Sequence, residues 1–366
     1  MKISKTLLNR ILTLAASLVL CFSCVAEPLL LTAYANEGDS PSNTAFFNEA
    51  KYRVLSSKKV SAKKYSGSLR VLLKEQSGGY SVVQGSCTDG KYAYYLMVSS
   101  YTQKGRVLKL RIKDNKVIAR SKILNTWHGN GMAYDSKRKK LVVIAREARK
   151  QEITLIDAKT LKITRQQNVK YSYYKNAGSD SISKAHQKKG LAAIAYCKKF
   201  DCYIALEREV HDLLIFDPDS LEAVGMARTK INGNYPGTFQ GMDADEKYVY
   251  LLLSPYYDKK IVQPYNLILA IDWNSEYLLP LVTTTAEGKM DYIEKRWYCN
   301  NDHSGSPDAV IRINTKHEAE SIYHTTNSKG KEHFYLAEYY GRLVYNKKTK
   351  STTFKRDSYV YDLGVI

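Results

Sequence analysis

The sequence predicts an all-β protein assembled from repeated four-stranded units. Tyrosine is unusually common, with 30 Tyr against 8 Phe and 8 Pro in 366 residues, and such a chain favours strands with amphipathic surfaces. A motif recurs: residues 84–94 and 240–250 both read Q-G-x-x-x-D-x-K-Y-x-Y, at an offset of 156. Between and after them, apolar runs and polar turns alternate with a period in the mid-forties, the mark of a repeat architecture. With 44% hydrophobic and 25% charged residues, wholesale disorder is excluded.

The units open at Gln84, Asn130, Ala192, Gln240 and Glu320, with spacings of 46, 62, 48 and 80 that place insertions at 171–189 and 284–317. In each, an inner run ends in a tight polar turn, and a period-2 run follows at 92–97, 141–145, 203–206 and 248–253. A third run ends in Asp114, Asp157, Asp217 or Asp272, and in the fifth copy 342–345 precedes Asn346. Asp and Asn suit a turn start because their side chains bond to backbone two residues on. A fourth short run completes the unit. Four antiparallel strands in a mid-forties repeat describe a blade of a β-propeller. About five blades are expected, closed by N- and C-terminal strands at 69–73 and 359–363; the alternative is six, if 51–83 and 357–366 form their own sheet.

These units resemble YVTN/NHL-type propeller blades, and more closely a group of secreted bacterial β-propellers with a Q-G-x-x-x-D-x-x-Y-x-Y opening blade. In that group an H-x-N-D-M-x-Y motif opens the next blade. Here it reads His128-Gly129-Asn130-Gly131-Met132-Ala133-Tyr134, with Gly131 in place of Asp. The resemblance runs from about Gln84 to the C-terminus and implies fold and compartment, without an activity.

Residues 1–35 read as a signal peptide. Lys2, Lys5 and Arg10 precede an apolar stretch over 11–25, and Ala33-Tyr34-Ala35 forms an A-x-A site cleaved between Ala35 and Asn36. A retained membrane anchor is the alternative; no later stretch reaches the roughly 18 apolar residues of a bilayer span. Cleavage lowers the net charge by two, from +20 to +18. A flexible polar segment, 36–50, then leads into a single propeller domain, 51–366.

Connection lengths sort the two ends of the blades. The first-to-second and third-to-fourth turns are short, whereas the second-to-third connections (99–105, 146–152, 254–266) and the blade-to-blade segments 171–189 and 284–317 are long. Long connections on one face mark a binding face. The residues opening the inner strands, Gln84, Asn130, Ala192, Gln240 and Glu320, reach the channel mouth on that face, with Trp127 and His128 just before Asn130. Amides and a carboxylate there suit a polyol or a hard cation, or simply satisfy the strand ends beside water. Tyr101, Tyr171, Tyr173, Tyr174, Tyr256, Tyr257, Tyr339 and Tyr340 crowd the long loops and suit the C–H faces of sugars.

Two functions compete. The first is an extracellular binding or scaffold module for a glycan or anionic cell-envelope polymer, binding through Gln84, Trp127, His128, Asn130, Gln240, Tyr256, Tyr257 and Glu320. Its electrostatic support is a run from Lys51 to Lys74 with eight bases and no acid, expected to lie beside Lys347, Lys348, Lys350, Lys355 and Arg356. Nucleic acid is a poor partner, because no recognition module is present. The alternative is a propeller enzyme (hydrolase, lyase or cyclotransferase) with Glu320 as general acid or base and His128 as second candidate. No G-x-S-x-G, P-loop or G-x-G-x-x-G appears, so no residue pattern singles out catalysis. No metal motif is found either: the histidines are scattered, and C-x-x-C pairing and H-E-x-x-H are absent. In 297–308, Asn300, Asn301, Asp302 and Asp308 with backbone oxygens could hold calcium, although EF-hand spacing is absent. No cofactor is expected, with calcium as the alternative.

Four cysteines remain after cleavage. Cys197 and Cys202 flank a four-residue hairpin loop as Asp135 and Lys140 do one unit earlier. Such positions face each other at disulfide distance. A Cys197–Cys202 disulfide is expected, with Cys87 and Cys299 free; four reduced cysteines are the alternative.

Overall fold

The computed structural model describes residues 60–61, 73, 77–99, 102, 104–145, 152–169, 173–174, 182–183, 190–208, 213–227, 238–254, 256–257, 260–261, 266–272, 309–314, 318–326, 328–346, 348 and 350–365. The signal segment, the polar segment 36–50, most of the basic run 51–74, Cys299 and the candidate calcium ligands lie outside these residues.

The described chain is all-β, and its main sheets are antiparallel meanders. The first consists of Val82–Thr88, Tyr92–Val98, Lys104–Arg111 and Lys116–Arg120, and the second of Gly129–Asp135, Lys140–Ala145, Glu152–Asp157 and Ile163–Asn168. The third holds Leu191–Cys197, Cys202–Glu207, Leu213–Phe216 and Ala223–Ala227. In the fourth, Thr238–Ala244, Tyr248–Ser254 and Asn266–Asp272 are followed by Ala309–Asn314. The fifth has three strands, Glu318–Thr326, Glu332–Asn346 and Ser351–Val365.

The repeat motif is explained by one carboxylate per hairpin. Asp89 Oδ1 accepts the backbone N–H groups of Lys91 and Tyr92, and its Oδ2 accepts the hydroxyl of buried Tyr94 at 2.8 Å. Asp245 repeats this with Lys247, Tyr248 and Tyr250, the last at 2.6 Å. One oxygen shapes the turn while the other satisfies a phenol that would otherwise be buried unpaired. Asp135 does the same across sheets, taking the Lys137 and Arg138 amides and the Tyr203 hydroxyl.

The core lies between neighbouring sheets. Tyr94, Leu96 and Val107 of the first sheet pack with Leu141, Val143 and Ile156 of the second. Ile144 and Leu155 meet Tyr203 and Phe216 of the third, and Tyr250 and Ile268 of the fourth meet Ile322 and Phe334 of the fifth. Tyr323, Tyr335 and Val360 of the fifth pack on Val83, Ala93 and Tyr95 of the first. Each buried Val, Leu, Ile or Phe among them contributes about 1.5–3 kcal/mol of apolar transfer.

Three expectations are corrected. The run 342–345 is no separate third strand: it is the far half of Glu332–Asn346, which stays paired to Ser351–Val365 throughout. The segment 284–317 is not wholly a blade-to-blade connection, because it contains the fourth sheet's last strand, Ala309–Asn314, which pairs with Asn266–Asp272. The long connection therefore leaves from the hairpin-turn end, where Tyr248 faces Asp272. Finally, Val60–Ser61 pairs in parallel with Ile313 and Asn314 on the fourth sheet, whereas 359–363 pairs within the fifth.

Candidate functional site

Each sheet begins with a leading strand, and each leading strand carries a β-bulge near its start. Register slips between Val83 and Gly85, Gly129 and Met132, Leu191 and Ala193, Phe239 and Gly241, and Ala319 and Ser321. The residues at the slips are the repeat openers Gln84, Asn130, Ala192, Gln240 and Glu320. A bulge adds one residue and re-aims its side chain. The next residue is small because a neighbouring leading strand passes close by. A Cβ on Gly85 would lie 2.8 Å from Met132 N, and one on Gly241 would lie 2.9 Å from Ser321 Cα. Gln-Gly thus encodes a bulge followed by a backbone contact.

The re-aimed polar groups, buried at Gln84, Asn130 and Glu320 and half-buried at Gln240, bond across strands. Gln84 Nε2 donates to Glu320 Oε2 at 2.9 Å, linking the first and fifth sheets. Gln240 Nε2 donates to Glu318 Oε1 at 2.7 Å, linking the fourth and fifth. Asn130 Nδ2 donates to the Ala192 carbonyl, linking the second and third. Ser86 Oγ and Ser321 Oγ lie 2.8 Å apart just behind the first pair. The amides and carboxylates at this end are thus fixed by one another.

Trp127 and His128 stand at the start of the second leading strand, half-buried, with φ of 48° and 57°. The left-handed region costs a bulky residue about 1–3 kcal/mol, so the fold holds this corner in a strained form. Tyr256 and Tyr257 form a two-residue strand paired with Lys260–Ile261, after Ser254; their side chains lie outside the description. Tyr339 and Tyr340, read from sequence as loop residues, lie inside a strand, and the Tyr339 hydroxyl accepts from Arg356 Nε at 3.2 Å.

Two carboxylates at the same end were missed. Glu207 and Glu338 are fully buried where second strands pass the bulged ends, opposite Leu191 and Ala319. Their signal was available, since each continues an apolar strand where a carboxylate is costly.

The cysteines face each other as the repeat register requires. Cys197 and Cys202 are register partners, as are Asp135 and Lys140, but both cysteines are buried thiols in the structure. Their thiol–thiol hydrogen bond, together with burial, raises the Cys202 thiol. The facing pair Asp135 and Lys140 form their ion pairs elsewhere, with Arg138 and Asp157 respectively. Cys87 is a free thiol, and burial pushes it up.

At the opposite, hairpin-turn end, one group of side chains among the described residues can hold a metal: Asp245, His324 and Glu332. Burial alone would lower the His324 imidazole, but the carboxylates of Asp243, Glu332 and Asp245 outweigh it and hold it at about 9. The scattered histidines of the sequence thus bring one member among acids.

No family model matches the chain, and no curated protein sequence matches it. Solved structures do share features of its shape. Myxococcus xanthus glutaminyl cyclase is 12% identical over 78% of this chain and 92% of that one, with a TM-score of 0.43. Kuenenia stuttgartiensis hydrazine synthase is 10% identical over 76% and 62%, at 0.35. Kluyveromyces lactis Hsv2 is 10% identical over 74% and 82%, at 0.28.

Proposed function

We propose that the chain is a five-bladed β-propeller of the YVTN/NHL type, exported by residues 1–35, that works as an extracellular binding module. Its ligand is a glycan or anionic cell-envelope polymer, taken up at the end where the leading strands begin. The ring reading is supported by contacts between successive leading strands and by the Gln84–Glu320 and Ser86–Ser321 bonds between the first and last. One observation carries the functional reading. All five openers sit at bulges on one end, four of them (Gln84, Asn130, Gln240 and Glu320) bonded through amides or carboxylates to a neighbouring strand, and the connections after Val98, Ala145, Glu207 and Ser254 leave from that same end. The high positive charge of the chain favours an anionic partner.

The test is a glycan and wall-polymer binding array at two salt concentrations, with hydrolysis read in the same wells. The reading expects retention that fades toward molar salt, where the Debye length is about 3 Å. Absence of retention on every polymer, or retention indifferent to salt, contradicts it. A second reading, a hydrolase, lyase or cyclotransferase, is favoured by the buried carboxylates Glu207, Glu320 and Glu338 at that end. Product in the wells, lost in Glu320→Gln, would select it.

A further inference from the structure

Four side chains converge at the hairpin-turn end between the fourth and fifth sheets. His324 comes from the fifth leading strand, and its ring lies edge-on to Tyr250 at 5.3 Å and beside Phe334 at 5.5 Å between centroids. Its side chain is nine-tenths buried, with 9% exposed. Asp243 Oδ2 lies 2.8 Å from His324 Nδ1 and accepts the His324 backbone N–H at 2.8 Å. One carboxylate oxygen thus holds the residue by main chain and side chain together. With Nδ1 engaged, Nε2 is the nitrogen that points outward. It lies 3.5 Å from Glu332 Oε2 and 4.0 Å from Asp245 Oδ2. It makes no hydrogen bond among the described residues, since both separations lie beyond the usual N–H···O range.

That arrangement has the parts of a metal site. The ligand atoms of Asp245, His324 and Glu332 all lie within 4.8 Å of one another. Contraction by a few tenths of an ångström would bring each to the ~2.0–2.2 Å of zinc–nitrogen and zinc–oxygen bonds. An imidazole that gives its second ring N–H to a carboxylate has the usual outer-shell support of a metal-bound histidine. Tyr250 donates to Asp245 Oδ2 at 2.6 Å and orients that carboxylate as well. Charge points the same way: Asp243 and Glu332 form ion pairs with His324 alone among the described residues.

We propose that Asp245, His324 and Glu332 bind a divalent transition-metal ion of the zinc or manganese class, with Asp243 and Tyr250 as positioning residues. One nitrogen and two carboxylate oxygens suit these ions, and two negative ligands match their charge. Asp245 lies in the turn between Thr238–Ala244 and Tyr248–Ser254 of the fourth sheet and the other two ligands lie on strands of the fifth, so the ion would clamp the sheets together. The site is independent of the binding reading for the other end.

The experiment uses the full chain without an affinity tag, stripped by chelator and titrated with zinc chloride and then manganese chloride in a calorimeter, with melting temperature measured in parallel. The expected result is one ion per chain and a melting temperature raised by metal and returned by chelator. Glu332→Gln and His324→Asn should each weaken binding at least tenfold. Glu332 lies at the partly exposed start of its strand, so Glu332→Gln serves if His324→Asn does not fold. Cobalt(II) in place of zinc should give a visible band that Glu332→Gln alters. Absence of binding by the wild type overturns the proposal, and so does binding unchanged in Glu332→Gln.

Discussion

At the junction of the second and third sheets, Arg138 lies among Asp135, Asp201 and Asp219; at the junction of the fourth and fifth, His324 lies among Asp243, Asp245 and Glu332. Asp135 and Asp245 hold the same place in the repeat, and each accepts a buried tyrosine hydroxyl. The difference lies in the cation. Arg138 reaches all three aspartates, with Nε and Nη2 forked onto Asp219 at 2.7 and 3.1 Å. A guanidinium carries five donors and a permanent charge, so that junction is complete. The Arg138 contact holds the Asp201 carboxyl well below the usual carboxylate range. The imidazole has two nitrogens and commits one to Asp243. The second junction therefore offers a nitrogen and two carboxylates to something outside the chain.

The largest expected effect comes from breaking the complete junction. Arg138→Met removes the guanidinium partner of Asp135, which is fully buried. An uncompensated buried charge costs about 3–5 kcal/mol, and the partial exposure of Arg138 places the expectation at about 3. Denaturant unfolding checks it: a loss under about 1 kcal/mol would mean that the Tyr203 hydroxyl and the turn amides suffice for Asp135. The metal response of the other junction should be untouched.

A matched pair of tyrosines comes next. Tyr203→Phe and Tyr250→Phe each delete a hydroxyl bonded to a junction aspartate, costing about 1–2 kcal/mol apiece. They should separate in metal binding, with zinc affinity unchanged in Tyr203→Phe and down about tenfold in Tyr250→Phe. Equal affinities would reduce Tyr250 to a packing residue.

The smallest effect belongs to a turn outside both junctions. Asp157 Oδ1 accepts the Thr160 backbone N–H at 2.8 Å, and this bond, with the Thr160 hydroxyl and Lys140, lowers its carboxyl to about 2 despite some desolvation. A folded value below the unfolded ~3.9 means stabilisation that is present above pH ~4 and lost as pH falls through about 2. Solvent screening limits it to about 0.5–1 kcal/mol. The stability gap between wild type and Asp157→Asn should narrow over that window in acid denaturation. A constant gap would assign the loss to turn geometry.

What was legible in the sequence follows from what is local. Gln84-Gly85 and Gln240-Gly241 announced the strand openings because a bulge and a close backbone approach need those residues at adjacent positions. Asp89 and Asp245 announced hairpins because turn and tyrosine lie within five residues. The fifth sheet misled because its long hairpin continues past Gly341 without a turn signal. The place of the 284–317 insertion misled because repeat spacing counts residues without saying between which strands they fall. The two junctions were not legible at all. Arg138 meets partners 63 and 81 residues away, and Asp243 meets His324 across 81, contacts that exist only once the sheets pack side by side.

The difference between the junctions is tested most directly by X-ray diffraction from crystals grown with zinc, with data collected on both sides of the zinc absorption edge. The account predicts an anomalous peak about 2.0–2.2 Å from His324 Nε2, within reach of Asp245 and Glu332, and none beside Arg138. A map without a peak at His324, in a protein whose fourth and fifth sheets are packed as described, would contradict it.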